Sequence, residues 1–365
     1  MINLSKLILR DGVDIYFNED EKFVIFVFLA SRKRLKLQIN PKLLLIVSKL
    51  DGENLLIHYI KKYNLASKEI TQLNSLLIYL YNKNILIEKN WIDLLSFDDE
   101  YKIFLTRHLR YLLDILDGGI KTVEKIQKNI SSTKITIFGL GAVGSALTRE
   151  LAMMGFQNFI LIDYQDIKTQ DISRNILYSN SNIGKSKIDV AEKMLLDINP
   201  HIKIQKKKKQ LNIDTDLSFL SSTDFIINSA NKPYIGYTSI KLSRYCVENN
   251  KPLFVCGGFD AHLASLGELI LPKITPCSDC YSTYFSEALK DWKPINHPIE
   301  NRDKVFGGLV SLNLFSASTS ALTILKYYIN NNLSDLNKRG EFLFDNYQID
   351  EFTIPKDENC QICSN

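Results

Sequence analysis

The chain has 365 residues, 45% of them hydrophobic and 24% charged, and a formal net charge of +4 at pH 7. That length allows two domains and a large buried core, and the slight positive balance does not imply a nucleic-acid partner. No apolar run reaches the roughly 18–20 residues of a membrane span, the start Met-Ile-Asn-Leu-Ser-Lys lacks a signal-peptide pattern, and four of the six cysteines fall in metal-type spacing that suits a reducing compartment, so a cytoplasmic protein with no membrane partner is expected.

Residues 1–95 read as a small α+β unit. Strand patterns at Lys6–Leu9, Val13–Phe17, Phe23–Phe28 and Leu35–Ile39 are set off by turn chemistry at Asp11-Gly12 and Asn18–Glu21. Helical spacing follows at Pro41–Leu50, Asn54–Tyr63 and Ser67–Asn82, with Pro41 suited to a first turn, Ser67 to a cap and Glu69 to the first turn after it. A strand pattern at Ile85–Ile87 closes the unit. This order predicts a winged-helix domain. Its third helix is poor in Lys and Arg, which argues against DNA and for the fold's other use, a clamp in which an extended peptide joins a sheet edge. Residues 96–130 are charged and helical in pattern, and are expected to act as a linker.

From residue 131 the pattern alternates. Strands are expected at Lys134–Phe138, Asn158–Ile162, Phe225–Asn228 and Leu253–Val255, and helices at Gly144–Met154, Lys185–Leu196 and Thr238–Asn249. This predicts a doubly wound, Rossmann-like α/β domain over 131–365. Lys206–Lys209 is expected to be a solvated loop. The loop Gly139-Leu-Gly141-Ala-Val-Gly144 follows a strand and opens a helix. Gly139 permits the tight turn, Gly141 lets backbone approach phosphate, and Gly144 allows close helix packing. Asp163 ends the next strand, where an acid would hold ribose hydroxyls. Taken alone, the loop suits NAD, FAD or ATP.

Further on, Asp171-Ile-Ser-Arg174-Asn175 leads to Gly184-Lys185-Ser-Lys187. Hydride transfer needs one pyrophosphate cradle, whereas adenylation must also stabilise departing pyrophosphate. Fixed cations do this, and Arg174 and Lys187 could supply them; two surface cations beside a helix is the other reading. The most specific signal is a pair of Cys-x-x-Cys motifs, Cys277/Cys280 and Cys360/Cys363. Together they offer four thiolates, the ligand set of a closed, structural Zn²⁺ site that fastens the C-terminal tail. Cys246, in a helix pattern, and Cys256, at a strand end, are expected to be core residues. His108 and His262 are expected to have structural roles.

The stretches "ITIFGLGAVGS", "FILIDYQDIKTQDISRNILY" and "NIGKSKIDVAEKMLLDINP", with the two Cys-x-x-Cys pairs and the ending "NCQICSN", resemble the ThiF/MoeB superfamily, relatives of ubiquitin-activating enzymes, over roughly 131–365. The resemblance implies adenylation of a carboxylate with ATP and Mg²⁺ by a homodimer. It implies that Asp163 holds the ribose, that Arg174 and Lys187 contact the phosphates, and that an arginine of the partner subunit reaches the ATP site. Arg107 in "FLTRHLRY" matches that position best, with Arg110 second. The layout is similar to the peptide-modifying branch of microcin C maturation and pantocin-type enzymes, which implies a ribosomally made precursor peptide as partner and a leader-binding clamp at residues 1–95.

The chain departs from the family pattern at three places. After "DFIINSAN" the family places a Mg²⁺-binding Asp, where this chain has Asn231; the family's Asn in the arginine motif is Asp171 here; and a second acid after Asp163 is Gln165, with Asp166 beside it. An amide oxygen can bind Mg²⁺ without charge, and Asp171 or Asp166 is expected to supply the missing carboxylate. The expected function is acyl-adenylate activation of a carboxylate or carboxamide in a precursor peptide. The alternatives are activation of a ubiquitin-like sulfur carrier and a non-catalytic module that delivers peptide to a cyclodehydratase.

Overall fold

The computed structural model describes residues 4–17, 23–116, 118–212, 214–257, 259–260, 263–288, 308–330, 333–336 and 338–364. The chain divides into two compact units, residues 1–128 and 129–365. The expected turn at Asn18–Glu21 and His262 lie outside the described residues.

The first unit runs β1 (Leu7–Leu9), β2 (Val13–Phe17), β3 (Val24–Phe28), β4 (Arg34–Leu37), α1 (Pro41–Val47), α2 (Leu56–Lys62), α3 (Ser67–Asn82), β5 (Leu86–Glu88), α4 (Asp99–Phe104) and α5 (Thr106–Ile115), and the division falls within α6 (Gly119–Ser132). β2, β3 and β4 form an antiparallel sheet, and β1 pairs with β5. The core joins Phe26 and Val24 of the sheet to Leu43, Ile46 and Val47 of α1 and to Leu73, Leu77 and Leu80 of α3. The last three recur four and three residues apart, the spacing of one helix face. Ser67 is not the cap of α3. Ala66 holds that position, and the Glu69 carboxylate reaches back to accept its N–H at 2.8 Å. The stretch after β5 folds as three separate α-helices; Gly118, at positive φ, precedes the last of them, which Gly119, also at positive φ, opens.

The second unit runs β6 (Lys134–Phe138), α7 (Ala142–Met153), β7 (Asn158–Ile162), α8 (Thr169–Ile172), α9 (Lys187–Ile198), β8 (Lys203–Lys207), β9 (Phe225–Asn228), α10 (Ile235–Glu248), β10 (Leu253–Val255), β11 (Phe259–Asp260), β12 (Leu263–Ser265), β13 (Glu268–Ile270), α11 (Ser278–Ala288), α12 (Val310–Ile329), β14 (Arg339–Leu343) and β15 (Gln348–Phe352). The main sheet has the order β13-β10-β9-β6-β7-β8. All its neighbours are parallel except β13, which is antiparallel to β10. The fold class is therefore α/β, as the alternating pattern predicts.

Period-two alternation sorts the strands onto two faces. Phe138, Ile160, Ile162, Ile226, Leu253 and Val255 pack with Leu242 and Cys246 of α10 and with the four motif cysteines. Phe225 turns the other way, against Tyr327 and Tyr328 of α12, which also lies along α7. The run Lys206–Lys209 is half strand and not wholly a loop, because β8 extends to Lys207 as the sheet's edge. Lysines blunt such an edge. Here Lys206 pairs with Asp189 and Glu192, and Lys207 lies over the Phe219 ring. A second sheet, β11-β12-β14-β15, completes the unit. No helix among the described residues is long and apolar enough to cross a membrane.

Leu77 is fully buried in the core of the first unit. Leu77→Ala is expected to destabilise that unit by about 2–5 kcal/mol, read as a lowered midpoint of its denaturant unfolding transition.

Candidate functional site

The chain lays down β6, β7 and β8 in one direction from the centre of the sheet and then returns to place β9 on the other side of β6. The loops leaving β6 and β9 therefore diverge at their C-terminal ends, the crevice in which open α/β sheets bind ligands. The glycine loop leaves β6 there, and Ser229, Ala230 and Asn231 leave β9 there.

Each glycine of the loop has a distinct role. Gly139 has φ +87°, and a Cβ on it would lie 2.7 Å from the Ser229 backbone. A Cβ on Gly144 would lie 2.1 Å from the Gly139 carbonyl oxygen, so neither position admits a side chain without movement. Gly141 is the N-cap of α7, and nothing lies within 4 Å of a Cβ placed on it. The loop faces open space at Gly141, at the positive end of a 12-residue helix, and a phosphate fits such a cradle.

Asp163, buried at the end of β7, accepts the Leu140 N–H on Oδ2 at 2.7 Å and the Gln165 N–H on Oδ1 at 2.8 Å. It thus fixes the glycine loop, and its oxygens keep lone pairs for a ribose hydroxyl. Tyr178 donates to the Leu140 carbonyl at 2.6 Å, and burial followed by the Asp163 charge pushes its phenol well above the ordinary range. Asn175 donates to Ser145 Oγ at 2.7 Å. Tyr178 and Asn175 were not singled out by spacing; the only signal was their place in the stretch "RNILY". Beside them, Asn228 is buried with its amide on Thr238 and Ser239 of α10, which anchors the turn that bears Asn231. Asn231 itself is exposed.

Arg174 and Lys187 come together on one carboxylate. Arg174 Nη2 donates to Asp171 Oδ1 at 2.7 Å, and Lys187 Nζ lies 3.6 Å from Oδ2. Oδ2 also accepts the Lys168 N–H at 3.0 Å, and Lys187 donates to Gln165 Oε1 at 3.1 Å. The side chains of Asp171 and Lys187 are 6% and 4% exposed, and that of Arg174 is 47% exposed. Burial opposes the Asp171 charge, but hydrogen bonds from Arg174 and the Lys168 amide, with the Lys187 charge, outweigh it and hold the carboxyl below its usual range. Asp166 points to a different partner, Lys208, at 3.0 Å on the surface. Arg107 and Arg110 are exposed on α5 of the first unit, where Arg110 pairs with Asp11.

Cys246 and Cys256 are buried, and burial pushes both thiols up to about 12, so neither is a thiolate nucleophile near neutrality. Burial likewise pushes His108 down to about 4, against its hydrogen bond with Gln127.

The four motif cysteines converge although about 80 residues separate the pairs. Their sulfurs all lie within 4.8 Å of one another, with Cys277–Cys280 at 3.8 Å, Cys277–Cys360 at 3.6 Å and Cys280–Cys363 at 3.4 Å. A disulfide would need about 2.0 Å. Zn–S bonds of about 2.3 Å give tetrahedral edges of roughly 3.8 Å, so the cluster fits one such ion. Burial pushes Cys277 and Cys363 up, so binding has to release their protons. Arg244 of α10 clasps Asp279, between the first two cysteines, at 2.6 Å and 3.2 Å, and Ser243 Oγ accepts the Ser278 N–H. These contacts tie the cluster to the helix that follows the Asn231 turn.

The chain belongs to the ThiF family, whose sequence model matches residues 113–363. It is 28% identical over 173 residues to "Protein HesA, vegetative" of Trichormus variabilis, which is 47% of this chain and 62% of that protein. It is 24% identical over 161 residues to the molybdopterin-synthase adenylyltransferase of Salmonella typhimurium, 44% of this chain and 63% of that one. The matches thus span about three-fifths of these curated relatives. Escherichia coli MccB, solved with ATP, superposes with a TM-score of 0.68 at 19% identity, covering 98% of this chain and 99% of MccB; MccB has also been solved with MccA. At that identity the likeness establishes the fold.

Metal analysis of the 365-residue protein should find about one Zn²⁺ per chain, and Cys360→Ser should lose it and lower the melting temperature. Metal-free protein purified without chelators would contradict the assignment.

Proposed function

We propose that this ThiF-family chain is an ATP-dependent adenylyltransferase that activates a carboxylate or carboxamide of a ribosomally made precursor peptide. The observation that carries the reading is the pair Arg174 and Lys187, held on one buried acid beside a glycine loop with open space over Gly141. One pyrophosphate cradle accounts for the loop but not for two further fixed cations. Departure of pyrophosphate does account for them.

In this mechanism the Asp163 carboxylate holds the ribose while it ties the loop, and the loop amides with the α7 N-terminus cradle the phosphates. A carboxylate oxygen of the substrate attacks the α-phosphorus, and the bond from that phosphorus to the pyrophosphate oxygen breaks. The acyl-adenylate keeps the AMP, and the electron pair leaves with pyrophosphate, whose charge the Arg174 fork and the Lys187 ammonium neutralise. For a carboxamide the attacking atom is the amide oxygen, and the same bond breaks. An internal nucleophile of the peptide then displaces AMP. Bound Mg²⁺ would offset phosphate charge, and the exposed Asn231 amide oxygen and Asp166 carboxylate would hold it, since Asp171 is already shared between two cations.

Residues 1–95 are the proposed winged-helix clamp for the leader, 96–130 the proposed linker and 131–365 the proposed adenylation domain. β2 and β4 are the outer strands of their sheet, and an outer strand suits addition of a peptide strand; the fold shared with MccB extends over nearly the whole chain. Tethering would raise the effective concentration of the reacting group. Arg107 of a second copy is the proposed partner-derived cation of a homodimer. Similarity to the molybdopterin-synthase adenylyltransferase favours a second reading, activation of a Gly-Gly-ended sulfur carrier.

ATP–pyrophosphate exchange, run with short candidate peptides and with a Gly-Gly-ended carrier, separates the two substrates. Arg174→Ala and Lys187→Ala are each expected to slow exchange on the order of 10²–10³-fold, and full exchange in either variant would refute the site.

A further inference from the structure

Asp171 is an acid where the related pattern carries an amide, and its place in the fold gives that charge a consequence. It sits in the first turn of α8 and keeps both carboxylate oxygens engaged, Oδ1 by Arg174 and Oδ2 by the Lys168 N–H and the Lys187 ammonium. An amide here would keep a hydrogen bond to Arg174 or to Lys168 but would carry no charge. The lysine it faces is almost wholly buried, and a buried ammonium without a counter-charge is unfavourable. Arg174 is half exposed and only one helical turn away, so it can exchange partners by rotating its side chain.

We propose that Asp171 is a built-in counter-ion that competes with the nucleotide's phosphates for Arg174 and Lys187. Before nucleotide enters, it holds the two cations charged and aligned. When a polyphosphate arrives, the phosphate oxygens take over both cations, and after the α-phosphorus bond breaks Asp171 takes them back and favours release of pyrophosphate. Asp171 is therefore a positioning residue that sets phosphate affinity, and it is not the Mg²⁺ ligand expected from the sequence. The inference rests on the reading of Arg174 and Lys187 as phosphate-binding cations.

The experiment is calorimetric titration of the wild type, Asp171→Asn and Asp171→Ser with Mg-ATP, Mg-pyrophosphate and adenosine, at low and raised salt, with melting curves as a check of folding. Removing the competing charge should tighten ATP and pyrophosphate about tenfold and leave adenosine unchanged. The gain should shrink as salt rises and vanish when Arg174→Ala is added to Asp171→Asn. If wild type binds ATP, and loses it on Arg174→Ala, yet neither uncharged variant binds more tightly, the counter-ion role is overturned while the nucleotide site stands. Weaker ATP binding in Asp171→Asn also overturns it, in favour of a Mg²⁺ ligand. If neither wild type nor Asp171→Asn binds ATP, the reading of the site falls and the inference with it.

Discussion

The close approach of the glycine loop to the turn after β9 is the constraint on which the rest of the site depends. Gly139 backs onto the Ser229 backbone, and Gly144 packs over the Gly139 carbonyl. The end of β6, the first turn of α7 and the exit of β9 are thereby locked at van der Waals distance. Ser229 N–H donates to the Phe138 carbonyl, and Gly139 N–H to that of Ile162, so the loop is tied to both neighbouring strands. Asp163 and Tyr178 then take up the Leu140 N–H and carbonyl, the groups that the turn leaves unpaired. Only after this does Gly141 face open space with its helix dipole aimed outward. A phosphate cradle of backbone amides requires such prior satisfaction, because a loop still exchanging its own hydrogen bonds would have to be ordered by the ligand.

Electrostatics adds a second layer. The cations of this unit fall into two groups that a sequence does not separate. Lys206 and Lys208 pair with acids at the surface, where screening leaves such pairs worth about 0–1 kcal/mol. Lys187 and Asp171 are buried, so their charges interact strongly and would be costly to strand. Lys187 is the first residue of α9, directly after Ser186 at the N-cap position, and the Gln165 amide oxygen also receives its ammonium. The charged part of the site is thus built from a helix start, not from a mobile surface arm.

Much of this was legible in the sequence because it lies in local spacing. The glycine loop, the acid that ends the next strand and the Cys-x-x-Cys pairs are short patterns with a chemical reason for each residue, and the structure brings the loop, Asp163 and the four cysteines to the positions that those patterns imply. Other parts have no such pattern. Tyr178, Asn175 and Asn228 are ordinary polar residues that each reach a partner ten or more residues away. The 20-residue helix α12 carries no such short pattern, and its Tyr327 and Tyr328 meet Phe225 far away in the sequence. The lysines of β8 read as loop because an edge strand is deliberately polar. Asp171 departs from the resembled pattern, but its sharing by Arg174 and Lys187 is not visible in spacing, because Lys187 stands 16 positions further on.

The cysteine cluster belongs to the same chain of constraints. Its two pairs lie at the start of α11 and in the C-terminal tail, and they share a core with Leu242 and Cys246 of α10. Arg244 and Ser243 fix the first pair to that helix, while at the helix's other end Thr238 and Ser239 hold Asn228 at the mouth of the crevice. A helix is stiff over 14 residues, so what is fixed at one end constrains the other. With one divalent ion bound, four thiolates would carry net negative charge, and the Arg244 guanidinium, which holds Asp279, would offset part of it. A tetrathiolate site with no open position does no chemistry itself. The cysteine cluster is joined through Arg244 and Ser243 to α10, the helix that follows the turn bearing Asn231.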